Sequence, residues 1–335
     1  MLSPWLAAIL VVCSCLSTQP AAIATSSSHV AGPLADTWYS HGLTWTQPAG
    51  PHPALRYAAS LAYDAARKNF VLFGGQSGGA SYDDTWTFDG RAWTEARPAH
   101  KPEPRRDAAM AYDPSLRRVV LYGGLVQDSN EGTEAADTWT WDGTDWTLVS
   151  NDNKGPRWRY GARMVTAHDT VILFGGHIGN IKYFADAWTL TGSTWVRVDH
   201  GVAPTGRADA AVAWDEDDSS LLVYGGLTIR PDAGPGNLGV PVSDAWALKA
   251  GTWSQLTSTG PPALFNANGV WDAGRHSVVV ILGINCPEPV SDAWAWNGSA
   301  WAHWKLPIPA RWAAATAVDT KGNILVFGGD DEVGC

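Results

Sequence analysis

Five arginines recur along the chain at intervals of roughly 50 residues or a multiple of that interval. They are Arg56, Arg105, Arg159, Arg207 and Arg311. A guanidinium binds a carboxylate or another anion through two parallel hydrogen bonds. The recurrence therefore suggests a ring of anion-binding groups. A residue repeated so regularly is equally suited to a structural role, in which each arginine bonds a neighbouring loop, and the sequence leaves both interpretations open.

Residues that depart from the regular pattern are the other candidates for chemistry. His177 follows a diglycine where other copies carry different residues, so it could act as an acid or base, or be a structural histidine. Asn266 and Asn268 stand where the arginine pattern is replaced by Leu264, which indicates either an asymmetric pocket or sequence drift. Aromatic residues next to the arginines could stack on a sugar ring or pack within the fold. They are Tyr57, Trp158, Tyr160 and Trp312.

Several chemistries lack their sequence signals. The chain has no glycine-rich phosphate loop, no zinc-ligand spacing and no Gly-x-Ser-x-Gly nucleophile turn, so we predict no cofactor and no metal. The acidic stretches at 215–218 and 330–332 could hold calcium, although solvated turns explain them equally. A formal charge of −10 argues against nucleic acid as a partner.

The elements that must position these residues follow from a repeat. Asp-x-Trp occurs six times, each copy followed seven residues later by a second tryptophan, so twelve of the 20 tryptophans occupy two repeat positions. The first tryptophans are Trp38, Trp86, Trp139, Trp188, Trp246 and Trp294. Apolar runs between them end in diglycines, except for the degenerate Leu282-Gly283-Ile284.

Each repeat unit predicts four short strands. In one unit, an alanine-rich strand at 108–112 turns into an apolar run at 119–122, and after a loop a tight hairpin joins 137–141 to 146–149. Such a four-stranded meander is typical of a propeller blade. Because the chain starts with the outer half of a unit and finishes with the inner half, the two ends are predicted to share one blade.

The diglycine, the paired tryptophans and the period resemble the Kelch repeat, from Asp36 to Gly329. The resemblance implies an all-β, six-bladed Kelch-type β-propeller, closed by a composite blade from the N-terminal outer strands and the C-terminal inner strands. The propeller is similar to that of galactose oxidase, but the copper-binding histidines and cross-linked tyrosine of that family have no counterparts here. Six-bladed plant specifier proteins are also similar, but their iron-binding residues cannot be matched.

The N-terminal segment predicts export. Residues 1–24 read as a signal peptide, 25–35 as a short linker and 36–335 as a single propeller in a secreted or periplasmic protein. A cysteine-containing segment around Cys15 leaves a lipid anchor in the cell envelope as an alternative, and no membrane span is predicted. After cleavage only Cys286 and Cys335 remain, which could form a disulfide or be two unrelated thiols.

Three functional hypotheses remain open. The first is an exported recognition module that binds a protein or carbohydrate partner through its loop face. The second is a cofactor-independent enzyme of the sialic-acid epimerase type, with ring arginines holding a carboxylate and His177 moving a proton. The third is a biosynthetic-pathway protein acting on a small molecule in the central channel. A propeller fold alone does not separate them.

Overall fold

The computed structural model describes residues 31–42, 44–126, 133–151, 154–179, 181–229, 239–256 and 259–332. Within these ranges the regular structure consists of β-strands and turns, with no helix. The predicted signal peptide and lipid-anchor segment lie outside the described residues.

The described strands form six antiparallel sheets of four, each a meander, as the repeat predicts. The inner strands are Ser60–Asp64, Ala109–Asp113, Arg163–Ala167, Ala211–Asp215, Asn268–Asp272 and Ala315–Val318. The second strands are Asn69–Phe73, Arg118–Tyr122, Thr170–Phe174, Ser220–Tyr224, Ser277–Ile281 and Ile324–Phe327. The third strands are Thr85–Phe88, Thr138–Trp141, Ala187–Thr191, Ala245–Lys249, Asp292–Trp296 and Thr37–His41. The outer strands are Trp93–Ala96, Trp146–Ser150, Thr194–Arg197, Thr252–Leu256, Trp301–Lys305 and Thr44–Thr46.

Short strand pairs lie in the loops between the second and third strands. They are Gln76–Ser77 with Ala80–Ser81, Leu125–Val126 with Thr133–Glu134, His177–Ile178 with Lys182–Tyr183, Leu227–Thr228 with Val240–Pro241, and Ile284–Asn285 with Glu288–Pro289. Arg105–Arg106 joins the second of these pairs as a third strand. We number the blades one to five by chain order from Ser60 and call the remaining sheet the composite blade.

The two chain ends meet in the composite blade. Its third strand, Thr37–His41, pairs with its second strand, Ile324–Phe327, and Tyr39 stands opposite Leu325. Each inner strand contacts the inner strand of the next blade, and the last contacts the first. Pro33 pairs with Asp330, and Leu34 donates a backbone hydrogen bond to Gly329, so these two residues of the predicted linker belong to the folded unit.

The diglycines allow neighbouring blades to approach closely. Gly74 and Gly75 follow a second strand whose last four residues are buried, and they have positive φ angles of 68° and 94°. A side chain at Gly74 would place its Cβ only 2.4 Å from the carbonyl oxygen of Arg105 in the next blade. Only glycine fits this combination of a left-handed backbone and a close contact.

The second tryptophan of each repeat packs between blades. Trp146 is 1% exposed, and its ring centroid lies 5.3 Å from that of Phe73 in the preceding blade. Its Nε1 donates a 2.9 Å hydrogen bond to Thr85 Oγ1. Trp93 bonds Thr37 and Trp195 bonds Thr138 in the same way, so the threonine in Asp-Thr-Trp is a link to the following blade.

Candidate functional site

The five recurring arginines are buried, and each is at most 1% exposed. Each forms a bidentate ion pair with the aspartate of an Asp-x-Trp in its own blade, at N–O distances between 2.6 and 3.1 Å. The pairs are Arg56–Asp84, Arg105–Asp137, Arg159–Asp186, Arg207–Asp244 and Arg311–Asp36. Nη1 of each arginine also donates to the carbonyl of the first glycine of the diglycine.

This geometry favours the structural role for the arginines over anion capture. Each guanidinium joins the start of the inner strand to the end of the second strand and the start of the third. Burial alone would raise the pKa of Asp244, but the hydrogen bonds and charge of Arg207 bring it below its ordinary value. The arginines are held inside the blades, and their donors point at protein oxygens rather than at the mouth of the ring.

The first tryptophan of each repeat completes this arrangement. In five blades its Nε1 donates to the aspartate two residues earlier, at distances between 2.6 and 2.8 Å. The aspartate of Asp-x-Trp therefore accepts hydrogen bonds from an arginine and an indole together.

Blade five lacks the arginine, and the aspartate of its Asp-x-Trp bonds other side chains. Leu264 occupies the arginine position and is 1% exposed. Asp292 accepts hydrogen bonds from His303 and from Lys305, the latter at 2.8 Å. Trp294 stacks on His303 with a centroid distance of 4.3 Å, and its Nε1 has no hydrogen-bond partner among the described residues. Loss of the arginine thus also removes the indole–aspartate bond.

A ring of backbone hydrogen bonds encircles one end of the central channel. Six residues two positions after the arginine site have left-handed φ angles, and the N–H of each bonds the carbonyl of the corresponding residue in the preceding blade. The residues are Ala58, Asp107, Gly161, Asp209, Asn266 and Ala313, with N–O distances between 2.8 and 3.4 Å. The ring holds these six positions at a fixed distance from one another.

Four charged side chains and one amide at and beside this ring form what we call the mouth cluster: Arg106, Asp107, Arg163, Asp209 and Asn266. Arg106 pairs with Asp107, while Arg163 lies 3.6 Å from Asp209 Oδ1 and 3.5 Å from Asn266 Oδ1. Both Arg163 distances are at or beyond the limit of a hydrogen bond. Asp209 Oδ1 and Arg163 Nε, both buried, have no hydrogen-bond partner among the described residues. The cluster therefore has donor and acceptor capacity left over.

The protonation of Asp209 is set by its surroundings. Burial raises its pKa, the charge of Asp107 raises it further, and the cations Arg163 and Arg106 and the ring of His177 oppose the rise. Gly161 allows this packing, because a Cβ there would lie 2.9 Å from Asp209 Oδ1. The site thus holds a buried carboxyl group whose pKa is raised above its ordinary value.

Aromatic side chains border the cluster on one side, and we call them the aromatic arc: Trp312, Tyr57, Tyr160, His177 and Tyr183. Ring centroids are 5.7 Å apart for Trp312 and Tyr57, 3.9 Å for Tyr160 and His177, and 4.9 Å for His177 and Tyr183. The Arg106 guanidinium lies 5.7 Å from the Tyr160 ring centroid. Burial raises the pKa of Tyr160 to about 12, so its hydroxyl stays a hydrogen-bond donor at neutral pH.

Blades four and five carry apolar residues at one position beside the ring. At the positions of Tyr57 and Tyr160, blades four and five carry Ala208 and Phe265, which pair with Leu227 and Ile284. At this position the mouth therefore has aromatic or charged side chains on four blades, and the apolar Ala208 and Phe265 on the other two.

The predicted site residues divide into two groups. Tyr57, Tyr160, Trp312, His177 and Asn266 come together at this mouth. Asn268 lines the channel below it, where its Nδ2 donates to the carbonyl of Ala314. His177 is 7% exposed, and its Nδ1 donates to the carbonyl of Gly179 at 2.8 Å.

Trp158 lies against Arg157 instead, outside the aromatic arc. Sequence reasoning missed Arg106, Asp107, Arg163 and Asp209. Each of them lies one, two or four residues after a repeated arginine, and each differs from the residues that most other blades carry at the same position.

The predicted disulfide is only partly within the described residues. Cys286 is disulfide-bonded. Cys335 lies outside the described residues, so the pairing of these two cysteines stays a prediction.

Within the described ranges, no group of three or more histidine, cysteine, aspartate or glutamate side chains is arranged to hold a metal ion. The acidic stretch at 215–218 is a turn, in which Asp215 accepts the backbone N–H groups of Asp217 and Asp218. No helix among the described residues is long and apolar enough to cross a membrane.

Comparison with known proteins agrees with this fold. Residues 90–283, more than half of the chain, match the profile of the KLHDC2/KLHL20/DRC7 Kelch-repeats domain. The chain belongs to the Kelch-repeat family.

Two relatives of this Kelch-repeat chain are much longer proteins. It is 26% identical over 180 residues to the flagellar outer-arm dynein alpha chain of Chlamydomonas reinhardtii, which covers 49% of this chain and 4% of that protein. It is 25% identical over 203 residues to acyl-CoA-binding domain-containing protein 4 of Arabidopsis thaliana, covering 54% of this chain and 29% of that protein. The chain thus matches less than a third of the length of either relative.

Proposed function

We propose that this Kelch-repeat protein is a noncatalytic recognition module that binds a protein partner through the mouth cluster and the aromatic arc. A Kelch-repeat domain favours a protein-interaction role, and the composition of this mouth fits one. Aromatic and arginine side chains are the types that contribute most binding energy at protein interfaces. The observation that carries the proposal is the combination of Arg163 and Asp209, which have unused hydrogen-bonding atoms, with half-buried aromatic rings beside them.

The difference between the blades around the mouth also indicates which chemical groups a partner segment carries. An apolar side chain fits against the half-buried Phe265, and a hydrogen-bonding group fits the side of Arg106 and Arg163. A short loop or terminus of a protein carries both kinds of group close together.

A carbohydrate is the second candidate, and the pair of Tyr57 and Trp312 favours it. Both rings are half-buried, so each keeps part of its surface open to solvent beside charged side chains. Exposed aromatic rings next to hydrogen-bonding groups suit a sugar ring. The epimerase-type enzyme, by contrast, loses the carboxylate-binding groups on which it depended, because the repeated arginines are buried in ion pairs.

A binding selection tests the proposal. The purified chain is screened against a displayed library of random peptides and against a glycan array, and each binder is measured again with two variants. Tyr57→Ala/Trp312→Ala removes two rings of the aromatic arc, and Arg91→Ala changes an exposed outer-hairpin residue as a matched control. We expect peptide binders whose affinity falls at least about tenfold in the first variant and is unchanged in the second.

Other outcomes are informative as well. Glycan binders with the same dependence would replace the protein partner by a carbohydrate. Binders that ignore the double substitution, or that respond equally to Arg91→Ala, would contradict the proposed site.

Export is part of the proposal, supported by the uncharged, apolar N-terminal segment and by the disulfide at Cys286. Mass spectrometry of the protein recovered outside the cytoplasm tests it. A mature chain that begins at Thr25 is expected. A lipid-modified Cys15 would establish the anchored alternative, and a chain that retains residues 1–24 in the cytoplasm would contradict export.

A further inference from the structure

A second pocket opens at the other end of the ring of inner strands. It has a volume of about 720 Å³ and is bordered by residues of the turns between the inner and second strands, including Ala65, Pro114, Glu216 and Ala273. It therefore lies at the end of the blades where these turns are, opposite the mouth cluster. Pockets of roughly 300–1,000 Å³ are the size that holds small molecules.

The pocket has aromatic walls because of one strand position. The fourth residue of the inner strand is aromatic in four of the six blades and pairs with the equivalent residue of each second strand. These residues are Tyr63, Tyr112, Trp214 and Trp271, and all four line the pocket. The other two blades carry Thr166 and Val318 at this position. We call the pocket lined by these six residues the aromatic funnel.

The funnel is separated from the mouth cluster by a constriction. A smaller channel cavity of about 100 Å³ lies between them and reaches the ring residues Ala58, Asp107 and Asn266. Six side chains or backbones line both spaces: Leu61, Met110, Met164, Val165, Gly269 and Thr316. This mainly apolar layer makes the funnel a separate compartment rather than a continuation of the site at the mouth.

Few charged side chains line the funnel: one arginine and two carboxylates. Arg117 and Glu216 carry opposite charge at its rim, and the ring of His168 lies 3.9 Å from Glu216. Asp319 is occupied by Tyr39, Asn323 and backbone N–H groups. The two carboxylates disfavour an anionic ligand, and a cation would have to compete with the hydrogen bonds that Asp319 already accepts, so the lining favours an uncharged ligand.

Hydrogen-bond donors are available within the aromatic walls. Burial raises the pKa of the Tyr63 and Tyr112 hydroxyls, so both stay protonated well above neutral pH. A ligand with a carbonyl or ether oxygen could accept from the half-buried Tyr63 phenol, while its rings pack against the half-buried indoles of Trp214 and Trp271.

We propose that the aromatic funnel is a binding site for an uncharged, flat, ring-containing small molecule that carries a hydrogen-bond acceptor. The concave shape suits a small molecule better than a protein surface, and aromatic side chains stack favourably on flat rings. The site is independent of the partner proposed for the mouth cluster.

A fluorescence titration tests this site with the probe 6-propionyl-2-dimethylaminonaphthalene, an uncharged naphthalene with a ketone acceptor whose emission depends on its surroundings. The probe is kept at low concentration and the full chain is titrated into it. We expect a saturable blue shift with a dissociation constant on the order of 0.1 mM.

Two variants and two controls localise the binding. Trp214→Ala removes one wall, and Val318→Trp fills the funnel with the aromatic residue that other blades carry at the same position. Each should weaken binding about fivefold or more. Trp158→Ala, an equivalent loss of an exposed tryptophan elsewhere, and Tyr57→Ala at the mouth should leave the affinity unchanged.

Val318→Trp keeps the test valid if Trp214→Ala does not fold. No saturable binding by the unaltered chain would overturn the proposal. Equal weakening in Trp158→Ala or Tyr57→Ala would also overturn it, since the probe would then bind elsewhere.

Discussion

Arg311 and Asp36 are 275 positions apart in the chain, and their side chains form a buried bidentate ion pair with distances of 2.6 and 2.8 Å. In four other blades the corresponding pair joins residues 27 to 37 positions apart. The same local arrangement therefore fastens the N-terminal strand of the composite blade to its C-terminal strands.

Breaking this pair should destabilise the whole fold. Arg311→Leu leaves Asp36 without its counter-charge in a largely buried place, and we expect a loss of about 3 kcal/mol in the free energy of unfolding, measured in urea. Arg97→Leu removes an exposed arginine 3.8 Å from Glu95 and should change stability by less than about 0.5 kcal/mol. Similar effects of the two substitutions would contradict the assigned role of Arg311.

The link between blades through Thr85 can be tested with a change of nearly constant volume. Thr85→Val removes the oxygen that accepts from Trp146 Nε1 and leaves a buried donor without a partner. The free energy of unfolding should therefore fall by about 1–3 kcal/mol. Thr87→Val, in the same strand, alters a weak contact of 3.5 Å and serves as the control. Equal urea midpoints for both variants would show that the hydrogen bond between blades contributes nothing.

Asp209 should make stability fall as the pH rises. Its folded-state pKa lies above the ordinary 3.8, chiefly through burial, so stability is fully present below pH 3.8 and is lost as the pH climbs through the folded-state value. Asp209→Asn does not ionise and should therefore be more stable than the unaltered chain at pH 7, with the difference shrinking at pH 4. Urea unfolding at both pH values measures this, and a difference independent of pH would contradict it.

Asp292 should have the opposite effect and make stability fall as the pH is lowered. Burial acts to raise its pKa, but hydrogen bonds and charge from Lys305 and His303 hold it below 3.8. The stability it contributes is present above pH 3.8 and is lost as the pH falls through the folded-state pKa. Asp292→Asn should be less stable than the unaltered chain at pH 7, and the two should converge on acidification. Glu95→Gln, which changes an exposed carboxylate, controls for net charge and should show no such convergence.

Much of the fold could be predicted because it repeats. The spacing of Asp-x-Trp, the second tryptophan and the diglycine predicts four-stranded units, and the half-units at the two chain ends predict their pairing in one sheet. Each signal has a local physical cause, such as the close contact that only Gly74 permits.

The site was less predictable because it depends on what lies beside each residue in space. The sequence shows that Arg207 recurs, but only the structure shows that Asp244, 37 positions away, occupies its guanidinium. Asp107 and Asp209 both stand two residues after a repeated arginine, but only the structure shows that residues at this position are joined in a ring of backbone hydrogen bonds between blades.

The sequence by itself determined the all-β repeat architecture, because strand period, turn residues and tryptophan positions are properties of short segments. The tertiary structure alone decided which polar groups have hydrogen-bond partners and which, among the described residues, do not. Burial, hydrogen-bond partners and charge balance arise from contacts between blades. Arg311 is therefore part of the framework, while Arg163 and Asp209 have hydrogen-bonding capacity to spare.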